Sequence, residues 1–117
     1  MSRDHDPLAV VQRQLDAYNA RDVEGYLAQF SDDAQGFEFG DPAPTMSGKA
    51  AIRARYTDLF ARSPKLNSIL VNRIAFARLV VDHEHITGRY GDPATYEMVV
   101  FYEVEDGLIR RFHALRK

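Results

Sequence analysis

Residues 7–34 read PLAVVQRQLDAYNARDVEGYLAQFSDDA, and this stretch decides the fold. Asp6 ahead of Pro7 marks a helix start, a capping carboxylate followed by a proline whose missing N–H costs nothing there. Leu8, Val11, Leu15 and Tyr18 then recur at helical spacing, with Gln12, Arg13 and Asp16 between them. Asn19-Ala20-Arg21 interrupts the pattern, and Asp22 caps a second helix with Val23, Tyr26, Leu27 and Phe30 on its apolar face. So short a connection predicts two helices lying side by side. Ser31-Asp32-Asp33 closes the unit.

Downstream, Phe37-Glu38-Phe39 reads as a short strand and Gly40–Pro44 as an irregular loop. Ser47-Gly48 opens a third helix with Ile52, Tyr56, Leu59 and Phe60 on one face, and Ser63-Pro64 stops it. From there the texture changes. The segments 66–76, 79–87, 95–104 and 108–115 are rich in Val, Ile, Leu, Phe and Tyr. Gly88–Pro93 is a loop, Asp106-Gly107 a good hairpin turn, and Ala77-Arg78 a poor one because neither residue favours φ > 0. Helices followed by an antiparallel meander predict an α+β domain over residues 1–117, with the helices on one face of a curved sheet.

Composition narrows the function. Apolar residues make up 45% of the 117 and charged residues 27%, a balance that supports a real core. A net charge of −2 provides no field for nucleic acid or an anionic membrane. The absence of cysteine removes disulfides, thiolate chemistry and Cys-based zinc sites. Met1–Asp6 is polar with no apolar run behind it, and no stretch approaches a membrane span. A cytoplasmic protein is the expectation. No Gly-rich phosphate loop or nucleotide fingerprint is visible, so no cofactor is expected.

Several of these residues also carry a resemblance. Ala9-Val10-Val11-Gln12-Arg13, Asn19-Ala20, Asp22, Gly25, Phe30, Asp32-Asp33-Ala34, Ser47-Gly48 and Ala50-Ala51-Ile52-Arg53 with Tyr56 look like the nuclear transport factor 2-like superfamily. Within it the sequence is most similar to the ketosteroid-isomerase and SnoaL-like branch. Asp106-Gly107-Leu108-Ile109 with the basic residues after it is similar to the end of these domains. The resemblance implies a cystatin-like cone: a bent antiparallel sheet wrapped around three helices, with an apolar pocket at one end. It further implies a homodimer through the outer sheet face and a small hydrophobic ligand, with no nucleic acid or membrane partner. The branch includes isomerases, polyketide cyclases, dehydratases, epoxide hydrolases and domains without activity.

Ketosteroid isomerase moves a proton with a carboxylate base and steadies the enolate with a tyrosine and a protonated aspartate. By resemblance the base falls on Glu38, with Asp41 as the fallback; a solvated glutamate and a turn-forming aspartate are the alternatives. Gln14 stands where the oxyanion tyrosine belongs, and Tyr18 lies one turn on. Tyr56 matches a supporting pocket tyrosine, or is simply a core ring. Val100 replaces the protonated aspartate, so nothing there can donate, and Tyr102 on the same phase offers a phenol. On the last strand the resemblance turns Ile109, Arg111, His113 and Leu115 inward, which makes His113 an acid–base candidate and Arg111 a ligand contact. The opposite phase, Leu108, Arg110, Phe112 and Ala114, alternates equally well.

Asp82-His83-Glu84-His85 is the most polar run in any expected strand. His83 and His85 share a face at ligand-like spacing, but no third ligand is evident and no metal is expected. Asp82 and Glu84 form the other face and can meet Arg73, as a plain salt bridge or as a polar pocket wall. Proton transfer on a hydrophobic cyclic carbonyl compound is the function these features predict. A ligand-binding or interaction module that has lost its acid–base set is the alternative.

Overall fold

The computed structural model describes residues 5–117; Met1–Asp4, most of the polar start noted above, lie outside the described residues. Helix α1 spans Pro7–Ala20 with the Asp6 side chain accepting from Leu8 N–H, as the Asp-Pro pair predicts. Arg21 ends it in the left-handed region at φ 54°, and Asp22 caps the short helix α2, Val23–Leu27, through Gly25 N–H. A Cβ at Gly25 would sit 2.4 Å from the Asp22 Oδ2 atom, so the cap needs a glycine there. Strand β1 is Phe30–Glu38, β2 is Met46–Ser47, and helix α3 is Lys49–Ala61 behind Gly48. Strands β3 (Asn67–Phe76), β4 (Leu79–Thr87), β5 (Tyr96–Glu105) and β6 (Leu108–Arg116) complete the chain.

The six strands form one curved, unclosed sheet in the order β2-β1-β6-β5-β4-β3. From β3 to β6 the neighbours are antiparallel, as the meander predicts, whereas β1 joins β6 in parallel. β1 is also longer than the expected segment 37–39. Parallel pairing begins at Phe30 opposite Ile109, and its register is broken between Phe30 and Gln35. Asp32 and Asp33 are exposed within that irregular stretch, so turn-like side chains coexist with strand backbone. At Asp106-Gly107 the hairpin takes φ of 53° and 78°, the type I′ geometry. The poor turn forms nonetheless, with Ala77 forced to φ 52°.

The core lies between the helices and the inner sheet face. Val10, Val11 and Tyr18 of α1, Tyr26 and Leu27 of α2, and Ile52, Leu59 and Phe60 of α3 pack on Phe30, Val80, Ile86, Val100, Val104, Ile109 and Phe112. Asn19, which stops the helical pattern of α1, fastens that helix to the sheet. Its side chain donates to Ser68 O at 3.0 Å and accepts from Ser68 N–H at 2.7 Å. No helix among the described residues is long and apolar enough to cross a membrane.

Candidate functional site

Strand alternation brings Val80, Asp82, Glu84 and Ile86 of β4 to the inner face beside Met98, Val100, Tyr102 and Val104 of β5. Asp82, with no exposed surface, meets Arg73 from β3 through two bonds of 2.6 and 2.9 Å. Arg73 also donates to Gln12 of α1 at 2.8 Å, so its guanidinium is spent on structure. Glu84 has no such cation. Among the described residues its one hydrogen bond comes from Ser68 Oγ at 2.6 Å, and Ser68 is itself held by Asn19.

Glu84 lines a cavity of about 70 Å³ walled by Gln14, Tyr18, Tyr26, Tyr56 and Tyr102 with Val100, Met98, Ile86 and Phe112. Burial raises its carboxyl to about 7; the Asp82 charge adds to the rise, and Ser68 and Arg73 oppose it. The phenols respond in the same direction. Burial lifts Tyr18, Tyr26 and Tyr102 well above the usual tyrosine range, so they stay protonated and available as donors. Tyr26 also shares a hydrogen bond with Tyr56, their rings 4.5 Å apart. Gln14 Oε1 is buried and has no hydrogen-bond partner among the described residues. A buried acceptor left open normally costs about 1–3 kcal/mol, and this one borders the cavity.

The expected ligand contacts Gln14, Tyr18, Tyr56, Val100 and Tyr102 therefore all reach the cavity. The expected catalytic groups do not gather there. Glu38 is on the inner phase but at the rim, hydrogen-bonded to Arg116 with nearly half its side chain in solvent. Asp41 is exposed and accepts from Ala43 N–H at 2.9 Å, the turn-forming alternative.

His113 and Arg111 point the other way. Val104 pairs with Ile109 and Glu103 with Arg111, so Arg110 is an extra residue, a β-bulge that reverses the phase. Ile109 stays inward, but beyond the bulge Phe112, Ala114 and Arg116 face the cavity instead of Arg111, His113 and Leu115. On the outer face His113 stacks on Phe37 at 4.7 Å between centroids and meets Glu103 at 3.3 Å, and Arg111 pairs with the same glutamate at 3.6 Å.

The outer face also holds His83 and His85. Cross-strand register sets Glu97 opposite His85, and the carboxylate lies 2.6 Å from His83 and 3.3 Å from His85. Hydrogen bonds from both rings and from Lys117 hold Glu97 down at about 2. These three groups offer ligand atoms within 4.8 Å of one another, supplying the third member that sequence spacing alone does not reveal. They lie across the sheet from the cavity.

Glu84, the one carboxylate embedded in the cavity wall, was open in the sequence only as one of two phases of β4. Its phase mates Val80 and Ile86 are apolar, but Val81 on the other phase is too. Arg55 and Arg89 also line the cavity, from α3 and the loop after β4, and no alternation pattern singles them out.

Comparison with known proteins bears on the family and the fold. The SnoaL-like domain family matches residues 11–112. An uncharacterised cystatin-fold protein from Novosphingobium aromaticivorans is 25% identical, with a TM-score of 0.85 over 94% of this chain and 97% of that one. A protein described as a candidate ketosteroid isomerase from Kribbella flavida is 19% identical, with a TM-score of 0.79 over 95% and 77% of the two chains. An LEH-like epoxide hydrolase of Mycobacterium tuberculosis is 16% identical, with a TM-score of 0.82 over 95% and 82%. These likenesses show the cystatin-like fold. No curated protein sequence matches the chain.

Proposed function

Because this chain belongs to the SnoaL-like domain family, we propose that its cone binds a small carbonyl compound on which Glu84 transfers a proton. One observation carries the reading: a buried carboxylate, held by a single hydroxyl and lifted to about 7, faces a cavity ringed by phenols. A base poised near neutral pH takes a proton from carbon and returns it without a large energetic mismatch. The carbonyl oxygen, gaining charge as the α-proton leaves, needs neutral donors, and Tyr18, Tyr56 and Tyr102 are the donors at hand. Ser68 and Asn19 act as positioning residues behind Glu84.

The cavity's size trims the substrate. At about 70 Å³ it has room for a few heavy atoms, far below the roughly 300–1,000 Å³ of drug-sized sites, so a steroid-like ligand does not fit. Small cyclic ketones in D2O are the test, with exchange of the α-hydrogens followed by NMR. The wild type should accelerate exchange and Glu84→Gln should lose at least a hundredfold of that acceleration. Equal exchange by the two proteins removes Glu84 from the mechanism.

The same small volume supports a second reading, a module that binds a ligand without turning it over. Saturable binding with no exchange by the wild type favours that module. The outer face, where Ile69, Ile74 and Phe76 are all more than half exposed, is the surface we assign to a second copy of the chain. Sedimentation at micromolar concentration separates dimer from monomer, and Phe76→Ser should shift the balance to monomer.

A further inference from the structure

The cavity wall carries more positive charge than the rest of the chain leads one to expect. Acidic residues outnumber basic ones by 17 to 15 overall. Along the cavity, however, Arg55, Arg89 and Arg116 stand against Glu38 and Glu84 alone. Glu38 is taken by Arg116, and Glu84, lifted to about 7, carries only part of its charge at neutral pH and little below it.

Arg55 and Arg89 make no ion pair with any carboxylate among the described residues, and an acid three residues on from each is engaged elsewhere. Asp58, one helical turn from Arg55, pairs with Arg62 at 3.2 Å. Asp92, three residues after Arg89, accepts from the Tyr96 hydroxyl at 2.6 Å and from Ala94 N–H at 2.8 Å. Arg89 is steadied by rings instead. Its guanidinium carbon lies 6.0 Å from the Tyr90 centroid and 5.8 Å from that of Tyr96, which leaves its N–H fork free for an anion. The second observation is the wall's open acceptor: Gln14, only 4% exposed, keeps its Oε1 unpartnered beside the cavity.

We propose that the ligand of this cavity is a short carboxylic acid, bound as its anion by Arg55 and Arg89, whose other polar end donates a hydrogen bond to Gln14 Oε1. The proposal rests on the cavity being the ligand site and names the class of compound it takes. A planar guanidinium recognises a carboxylate through two parallel bonds, so the acid is preferred to its amide. An unpaired buried acceptor favours a ligand that carries a donor over one that lacks it.

The test is calorimetric titration of the full chain with 4-hydroxybutyrate, butyrate, 4-hydroxybutyramide and inorganic phosphate. The hydroxy acid should bind at least tenfold tighter than its amide and several-fold tighter than butyrate, and its affinity should fall with added NaCl. Arg55→Gln with Arg89→Gln should weaken both acids at least tenfold and leave the amide unchanged. Gln14→Leu should remove the advantage of the hydroxy acid over butyrate. Equal affinity for acid and amide, or an acid affinity untouched by the double variant, overturns the proposal. Phosphate binding tighter than either acid overturns the carboxylate assignment. Proton transfer and acid binding are separable: acid binding by a wild type that exchanges no ketone defeats the catalytic reading alone, ketone exchange by a wild type that binds neither acid defeats this one alone, and Glu84→Gln should lose ketone exchange while still binding the acids.

Discussion

Replacing Glu84 with glutamine should shift relative stability in the variant's favour as pH rises into mild alkali and should abolish the proposed proton transfer. In the fold the carboxyl is raised from about 4.5 to about 7. The folded state therefore holds a proton that the unfolded chain has already released between those two values, so stability falls as pH rises through that window. Below about 4.5 the full benefit of the protonated group is present; above about 7 it is gone. At roughly 1.4 kcal/mol per pKa unit, the wild type should lose about 2–3 kcal/mol from this group between pH 5 and pH 8. Glutamine cannot ionise and shows no such loss.

The quantity to measure is the stability of Glu84→Gln relative to wild type, by urea unfolding at pH 5 and again at pH 8. Any fixed cost of burying the amide is common to both and cancels. The relative stability should shift in favour of the variant by about 2–3 kcal/mol, on the order of 10 °C in Tm for a chain of this length. Glu97, the other carboxylate held far from its usual value, is lowered and titrates below this window. A relative stability independent of pH would show that Glu84 is ionised in the fold like any solvated glutamate, and the argument for its role would fail.

Other predictions follow from single contacts. Arg73→Met leaves Asp82 buried without its cation and should cost about 3–5 kcal/mol in urea unfolding. Asn19→Ala frees two backbone groups of Ser68 and should cost about 1–3 kcal/mol, with faster amide exchange at the start of β3. Gly88→Ala would set a Cβ 2.2 Å from Lys65 O at φ 75°, so the loop carrying Arg89 must shift. That variant should lose about 1–3 kcal/mol, and with it the preference for acids over amides.

The fold was legible because its signals are local and redundant. Asp6-Pro7, Asp22 and Asp106-Gly107 each fix a cap or turn by their own chemistry, and the apolar spacing between them agrees. The cavity contacts Gln14 and Val100 came instead from the family resemblance, since Gln14 lies off the Leu8, Val11, Leu15 and Tyr18 spacing. His113 and Arg111 were not legible, because a bulge is a decision of two strands and leaves no mark in one. Glu84 was ambiguous because both phases of β4 mix apolar with polar residues, and the Arg73–Asp82 pair with its tie to Gln12 of α1 chooses between them. Glu97 joins His83 and His85 through cross-strand register, which a linear spacing rule does not encode.

The extra residue in β6 makes that strand behave like a text read in two frames. Upstream of Arg110 one parity is interior, and downstream the other is. Removing Arg110 would let Ile109 and Arg111 follow each other opposite Val104 and Glu103, with every remaining side chain keeping its present side. Adding one residue between Arg111 and Phe112 would instead bring His113 across to the cavity and send Phe112 outward. Length changes here are therefore unequal: the deletion keeps the wall's phase, and the insertion rewrites it.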